Sequence, residues 1–136
     1  MDWTFNSILF DEIDVNKVYQ KDLKNNDISW PNQNFGNSEY AILWHLKTTD
    51  KIENQIPKSD NLKFLQLNWA NITDFSLIAD KFTKLKRLEL QCCIKLLNDD
   101  FIDGLSENLE HLHILTSKKF IFEQNLLKLK NLRILC

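Results

Sequence analysis

His111 and His113 stand two apart, and on an extended backbone that spacing turns both imidazoles to one face. Two such rings can share a metal ion or act as a general acid–base pair. Cys92 adds a thiol that becomes a nucleophile when a base lies within reach, and His113 is the available base. A zinc site asks for three or four ligands, and Cys92 is offset along the chain from the two histidines. The plainer reading of the pair is a solvated sheet position with a carboxylate as neighbour. Asp99, Asp100 and Asp103 form a small acidic cluster. It lacks the alternating ligands and glycine turn of a calcium loop, and suits the first turn of a helix. Phe64, Trp69 and Arg87 are of the types that dominate protein–protein interfaces. Trp69 is read either as a partner anchor or as packing under a loop or over a cap.

Composition removes several other chemistries. The chain has 136 residues, only two glycines, Gly36 and Gly104, and two prolines, Pro31 and Pro57. Neither a G-x-G-x-x-G nor a G-x-x-x-x-G-K-[ST] phosphate loop can be written, nor the G-x-S-x-G nucleophile elbow. Barrels of tight hairpins are disfavoured, because their turns lean on glycine. The net charge is −2: residues 1–60 carry six Lys against ten acidic residues, and 61–136 carry eleven basic against nine acidic. Neither balance points to nucleic acid, and fifteen of the seventeen basic residues are Lys, not the forked Arg of phosphate-reading surfaces. Lys118-Lys119 and the pair Lys128 and Lys130 read as solvated faces. No apolar run approaches membrane-spanning length, and the first residues lack a signal-peptide pattern. Three cysteines, an odd number, argue against a disulfide framework, so reduced thiols and a cytoplasmic location are expected. No cofactor is expected.

The elements that would position these side chains show in a repeat. Asn61-Leu-Lys-Phe-Leu-Gln-Leu, Lys84-Leu-Lys-Arg-Leu-Glu-Leu, Asn108-Leu-Glu-His-Leu-His-Ile and Asn131-Leu-Arg-Ile-Leu share the frame L-x-x-L-x-L. Their first leucines, Leu62, Leu85, Leu109 and Leu132, are 23, 24 and 23 residues apart. The second copy extends through Cys93 and Leu96. This pattern resembles the leucine-rich repeat family, and its L-x-x-L-x-L-x-x-C-x-x-L stretch resembles the cysteine-containing class. Ala70 and Ser117 stand where that class carries Asn or Cys, which leaves the subclass open.

The resemblance implies an α/β solenoid, with parallel strands on the concave face and short helices on the convex face. Phe75, Ile78, Ala79 and Phe82 fall on one helical face. Leu97, Phe101 and Leu105, then Phe122, Leu126 and Leu129, suggest two more helical returns. Residues 1–38 do not fit the frame and are read as an N-terminal cap. Residues 39–136 are the repeats: a partial one over 41–61, then 62–84, 85–108, 109–131 and a truncated 132–136. In the partial repeat Ala41, Trp44 and Leu46 take the leucine positions, or the register slips by one. The truncated end predicts an exposed edge strand at 132–136, open to self-association or to a covering partner.

In this frame the exposed positions line up across the strands. Lys63, Lys86, Glu110 and Arg133 form one row, Phe64, Arg87, His111 and Ile134 a second, and His45, Gln66, Glu89, His113 and Cys136 a third. Asn68, Trp69, Gln91, Cys92, Leu115 and Thr116 follow at the rim. Phe64, Gln66, Trp69, Arg87, Glu89, His111 and His113 make the expected partner-binding set, with Glu89 beside His113. The expected role is non-catalytic binding of a protein partner, with no nucleic acid and no membrane. Small size and an acidic first half suit a stoichiometric inhibitor, such as an immunity protein that neutralises a toxin. The competing readings are an adaptor of the F-box kind and a metal or thiol enzyme built on His111, His113 and Cys92. The Leu-Pro pair typical of an F-box is absent.

Overall fold

The computed structural model of the chain describes residues 18–24, 38–46, 60–71, 75, 82–93, 95–115 and 120–135. Six strands, β1 (Val18–Asp22), β2 (Tyr40–Trp44), β3 (Phe64–Asn68), β4 (Arg87–Gln91), β5 (His111–Leu115) and β6 (Ile134–Leu135), form one sheet in chain order. Every pair is parallel, and equivalent residues recur after 22, 24, 23, 24 and 23 residues. Neighbouring parallel strands joined by near-constant connections make a solenoid, in which each coil packs on the one before it.

The strands form because alternate residues can be buried against the next coil. Leu65 and Leu67, Leu88 and Leu90, then Leu112 and Ile114 point inward in register. Leu62, Leu85 and Leu109 lead into those strands, and Ala70 and Cys93 follow them, all inside the same core. Beneath the sheet, Phe75, Phe82, Phe101 and Ile102 fill the coil interior. Phe75 and Phe101 pack with ring centres 5.1 Å apart, and Phe101 and Phe120 at 6.1 Å. A fully buried Leu or Phe contributes on the order of 1.5–3 kcal/mol, so most of the stability lies between coils, not within one.

Three features of the fold depart from the expectation. The first is the upstream register. Ala41 pairs with Leu65 and Leu43 with Leu67, so Ala41 and Leu43 are the inward pair. Leu46 matches Ala70, and Ser38 takes the position of Leu62. Neither Ala41 as the leading residue nor a slip of one describes this coil; the shift is three. Buried Ser38 and small Ala41 occupy sites that later coils give to leucine, so a leucine frame slides past them. The second bears on residues 1–38, read as a cap holding a strand or short helix: β1 joins the sheet in parallel with β2, at the repeat's own spacing. Its inward residues are Tyr19 and Lys21 in place of two leucines. The rest of that expected cap, 1–17 and 25–37, lies outside the described residues.

The third concerns the returns. Among the described residues they hold no α-helix but two 3-10 segments, Asp99–Gly104 and Asn125–Lys128. In the first, adjacent Phe101 and Ile102 are buried while Leu97 is 58% exposed, so the four-residue spacing from Leu97 does not set the buried face. A 3-10 segment rises about 2.0 Å per residue against 1.5 Å for an α-helix, and so crosses the coil with fewer residues. Asn98 caps it, its side chain accepting from the Asp100 N–H at 3.0 Å. Ile78 and Ala79 of the first return are outside the described residues.

Asp99 ties this return to the next coil. It is fully buried, and its carboxylate accepts from the Glu123 N–H at 2.9 Å, the Leu126 N–H at 3.3 Å and the Asn125 side-chain amide at 3.2 Å. The acidic cluster is therefore an inter-coil staple as well as a helix-start signal. No helix among the described residues is long and apolar enough to cross a membrane.

Candidate recognition surface

The sheet's outward face gathers the residues that carry chemistry. Phe64, Arg87 and His111 lie in one row, bounded by Tyr40 and Ile134. Gln66, Glu89 and His113 lie in the next, bounded by Ile42. His45 does not belong to that row, a consequence of the corrected register, and Cys136 is outside the described residues.

These rows are less open than expected. Phe64, Arg87, Glu89 and His111 are buried, Arg87 to 2% exposure, while Gln66 and His113 are half-buried. Parallel strands stand about 4.8 Å apart, so long side chains on one face cover one another. Tyr40 and Phe64 pack with ring centres 4.1 Å apart, and the Arg87 guanidinium lies 4.3 Å above the Phe64 ring. Arg87 also pairs with Glu89 through Nη2, and His113 Nδ1 lies 3.8 Å from the same Glu89 oxygen. The Arg87 Nε and Nη1 atoms are buried with no hydrogen-bond partner. Removing one member of a buried ion pair leaves an uncompensated charge, so substituting Arg87 or Glu89 alone is destabilising. Tyr40 donates to Gln66 Oε1 at 2.9 Å, and Gln66 Nε2 donates to Asn68 Oδ1 at 3.1 Å.

Burial sets the titration of this face. His111 is held down to about 4, first by burial, then by the Arg87 charge and by His113. Its imidazole is therefore neutral at neutral pH. The Tyr40 hydroxyl is pushed up by burial and by Glu89. Cys93 is a core thiol raised to about 11, chiefly by burial, and lies near the Leu67 and Gln91 carbonyls. Cys92 is half-buried on the other side of the bend. His111, His113 and Cys92 do not form a ligand cluster. Among the described residues the group of three close enough to share an ion is Asp99, Asp100 and Glu123, and Asp99 is already engaged with the next coil.

The rim where the strands end was only partly visible in the sequence. His45, Trp69 and Cys92 occupy equivalent places one residue past β2, β3 and β4, with φ of 61°, 56° and 54°. Their N–H groups donate to the carbonyls of Asn68, Gln91 and Leu115 at 3.0, 2.9 and 2.8 Å. Each continues the ladder and then turns the chain inward. Glycine is the usual occupant of this left-handed conformation, and a bulky side chain there is an outlier. His45 is anchored by Asp22, Nδ1 to Oδ1 at 2.9 Å. Trp69 stays 56% exposed, and Leu115, two strands on, is 58% exposed. Thr116 is outside the described residues.

Compared with family models, curated proteins and solved structures, the chain gives no match.

Proposed function

We propose that this chain is a leucine-rich repeat protein that binds another protein without catalysis, as a stoichiometric inhibitor of the kind an immunity protein is for its toxin. One observation carries the binding reading. Trp69 is a large aromatic side chain held in a strained left-handed conformation and left more than half exposed. Strain of this kind costs on the order of 1–3 kcal/mol and persists where the surroundings or a function require it. Exposed aromatic anchors of this type supply much of the energy of protein interfaces. Leu115 extends the apolar rim, and half-buried Gln66 and His113 offer polar groups beside it.

The contact surface is then the rim with Trp69 and the open part of the face, Gln66 and His113. Phe64, Arg87, Glu89 and His111 support it from beneath. The inhibitor reading rests on the small repeat scaffold and the acidic first half of the chain. Its test is co-expression with the products of the reading frames beside its gene. A one-to-one complex that survives gel filtration is expected, and Trp69→Ala weakens it by about thirtyfold or more while the far-ultraviolet spectrum is unchanged. A complex indifferent to Trp69→Ala would move the interface elsewhere. The absence of any complex with those products would remove the inhibitor reading.

A further inference from the structure

The opposite rim, where the strands begin, carries a cleft of about 480 Å³ lined by Lys63, Thr83, Lys84, Lys86 and Asn108. Three of these five side chains are cations, the other two are neutral hydrogen-bonding groups, and no carboxylate is among them. Lys63 and Lys86 are forced together by the repeat, since the Lys86 N–H donates to the Lys63 carbonyl at 2.8 Å across adjacent coils. Like charges directly opposite on neighbouring strands repel. Lys86 is partly compensated by Glu110 at 3.6 Å, from the next coil in the same row. Among the described residues Lys63 and Lys84 have no ion pair.

We propose that this cleft binds a ligand carrying two adjacent phosphates. All five lining side chains are exposed, so this is an open cationic depression of the surface, and its charge asks for an anion. Lysine ammoniums act as point charges, so a site built from them selects by number of negative charges and not by planar shape. The Thr83 hydroxyl and the Asn108 amide can each donate to a phosphate oxygen. Among the described residues no aromatic side chain lines the cleft, so what these residues can recognise is the diphosphate group itself.

Inorganic pyrophosphate is the probe, titrated calorimetrically into the full chain at low salt. One saturable site is expected, weakened by added salt as exposed charges are screened. Lys63→Gln with Lys84→Gln should lower the affinity at least tenfold, with an unchanged far-ultraviolet spectrum, because both side chains are exposed. Trp69→Ala, at the far rim, should leave it unchanged, which separates this site from the protein-binding surface. No saturable binding, or binding indifferent to the two lysine changes, would overturn the proposal. So would a poly-glutamate peptide that binds more tightly than pyrophosphate at the same salt.

Discussion

At one rim of the solenoid, where the strands end, His45, Trp69 and Cys92 bend the chain through left-handed conformations without a glycine. At the other rim, where the strands begin, Lys63, Lys84 and Lys86 line a cationic cleft, and none of them has a positive φ. Both rims repeat with the same step of 23 or 24 residues, so backbone geometry does not explain why their side chains differ. The difference separates two kinds of constraint. The end rim carries conformational strain on apolar or aromatic side chains, which a bound protein surface can offset. The beginning rim sets two lysines side by side on relaxed backbone, a pairing that a small anion can offset.

The largest test asks whether the two rims share one core. Leu88 is completely buried between Leu65 and Leu112. Leu88→Ala is expected to cost about 2–5 kcal/mol, seen as a lower urea midpoint. Partner binding at Trp69 and pyrophosphate binding at the lysines should then fall together as the folded fraction falls. Loss of only one would show that the rims belong to separately unfolding coils and would break the comparison at its base.

Next in size is the staple between the returns. Asp99→Ala removes the acceptor of three hydrogen bonds and strands the Glu123 and Leu126 N–H groups. A loss of about 2–3 kcal/mol is expected from the urea midpoint. Because Asp99 touches neither rim, the affinity of the remaining folded protein at both should hold. A changed affinity at either would mean that the last coils contribute to it.

A pH titration probes the face between the rims. His111 titrates near 4 in the fold, against about 6.5 when unfolded. Between those values the unfolded chain binds a proton that the folded chain refuses, so stability falls as pH drops through that window. The loss from this group is on the order of 3 kcal/mol and is complete below about pH 4. His111→Gln should flatten that slope relative to the parent chain. Equal slopes in the two proteins would place the buried imidazole in a more solvated setting than the geometry gives it.

The inward rows were readable from the chain because leucine at fixed spacing leaves little choice of face: Leu62, Leu65 and Leu67 predict Leu85, Leu88 and Leu90. The second coil was legible only out of register and the first only as a cap, since Ser38, Ala41, Tyr19 and Lys21 fill the leucine sites. Two returns were legible as short helices, but their 3-10 form was not. Leu97, Phe101 and Leu105 have helical spacing, but the 3-10 path buries Phe101 with Ile102. Site composition was legible as a list of aligned side chains; their burial was not. Arg87 looks like an interface residue by type, and only the packing of Phe64 beneath it and Glu89 beside it shows that it is held inside. No residue type marks the left-handed bends either, since His, Trp and Cys share nothing but their place after a strand.

The smallest effect is the sharpest, because its sign should differ between the rims. At Trp69 the backbone already sits where glycine is at ease, so Trp69→Gly removes the steric cost of a Cβ, about 1–2 kcal/mol. Against that stands the extra chain entropy of glycine, roughly 0.5–1 kcal/mol. Trp69→Gly should therefore be more stable than Trp69→Ala by about 0.5–1 kcal/mol, although both lose the partner equally. Lys86 has no such conformation to relieve, so Lys86→Gly should be less stable than Lys86→Ala by a similar amount. Four urea midpoints at unchanged slope decide it. Opposite signs at the two positions would show that the end rim holds its aromatic residue against the preference of the backbone. The same sign at both would mean that the bend exacts no conformational cost, and the argument that Trp69 is kept there for a partner would lose its support.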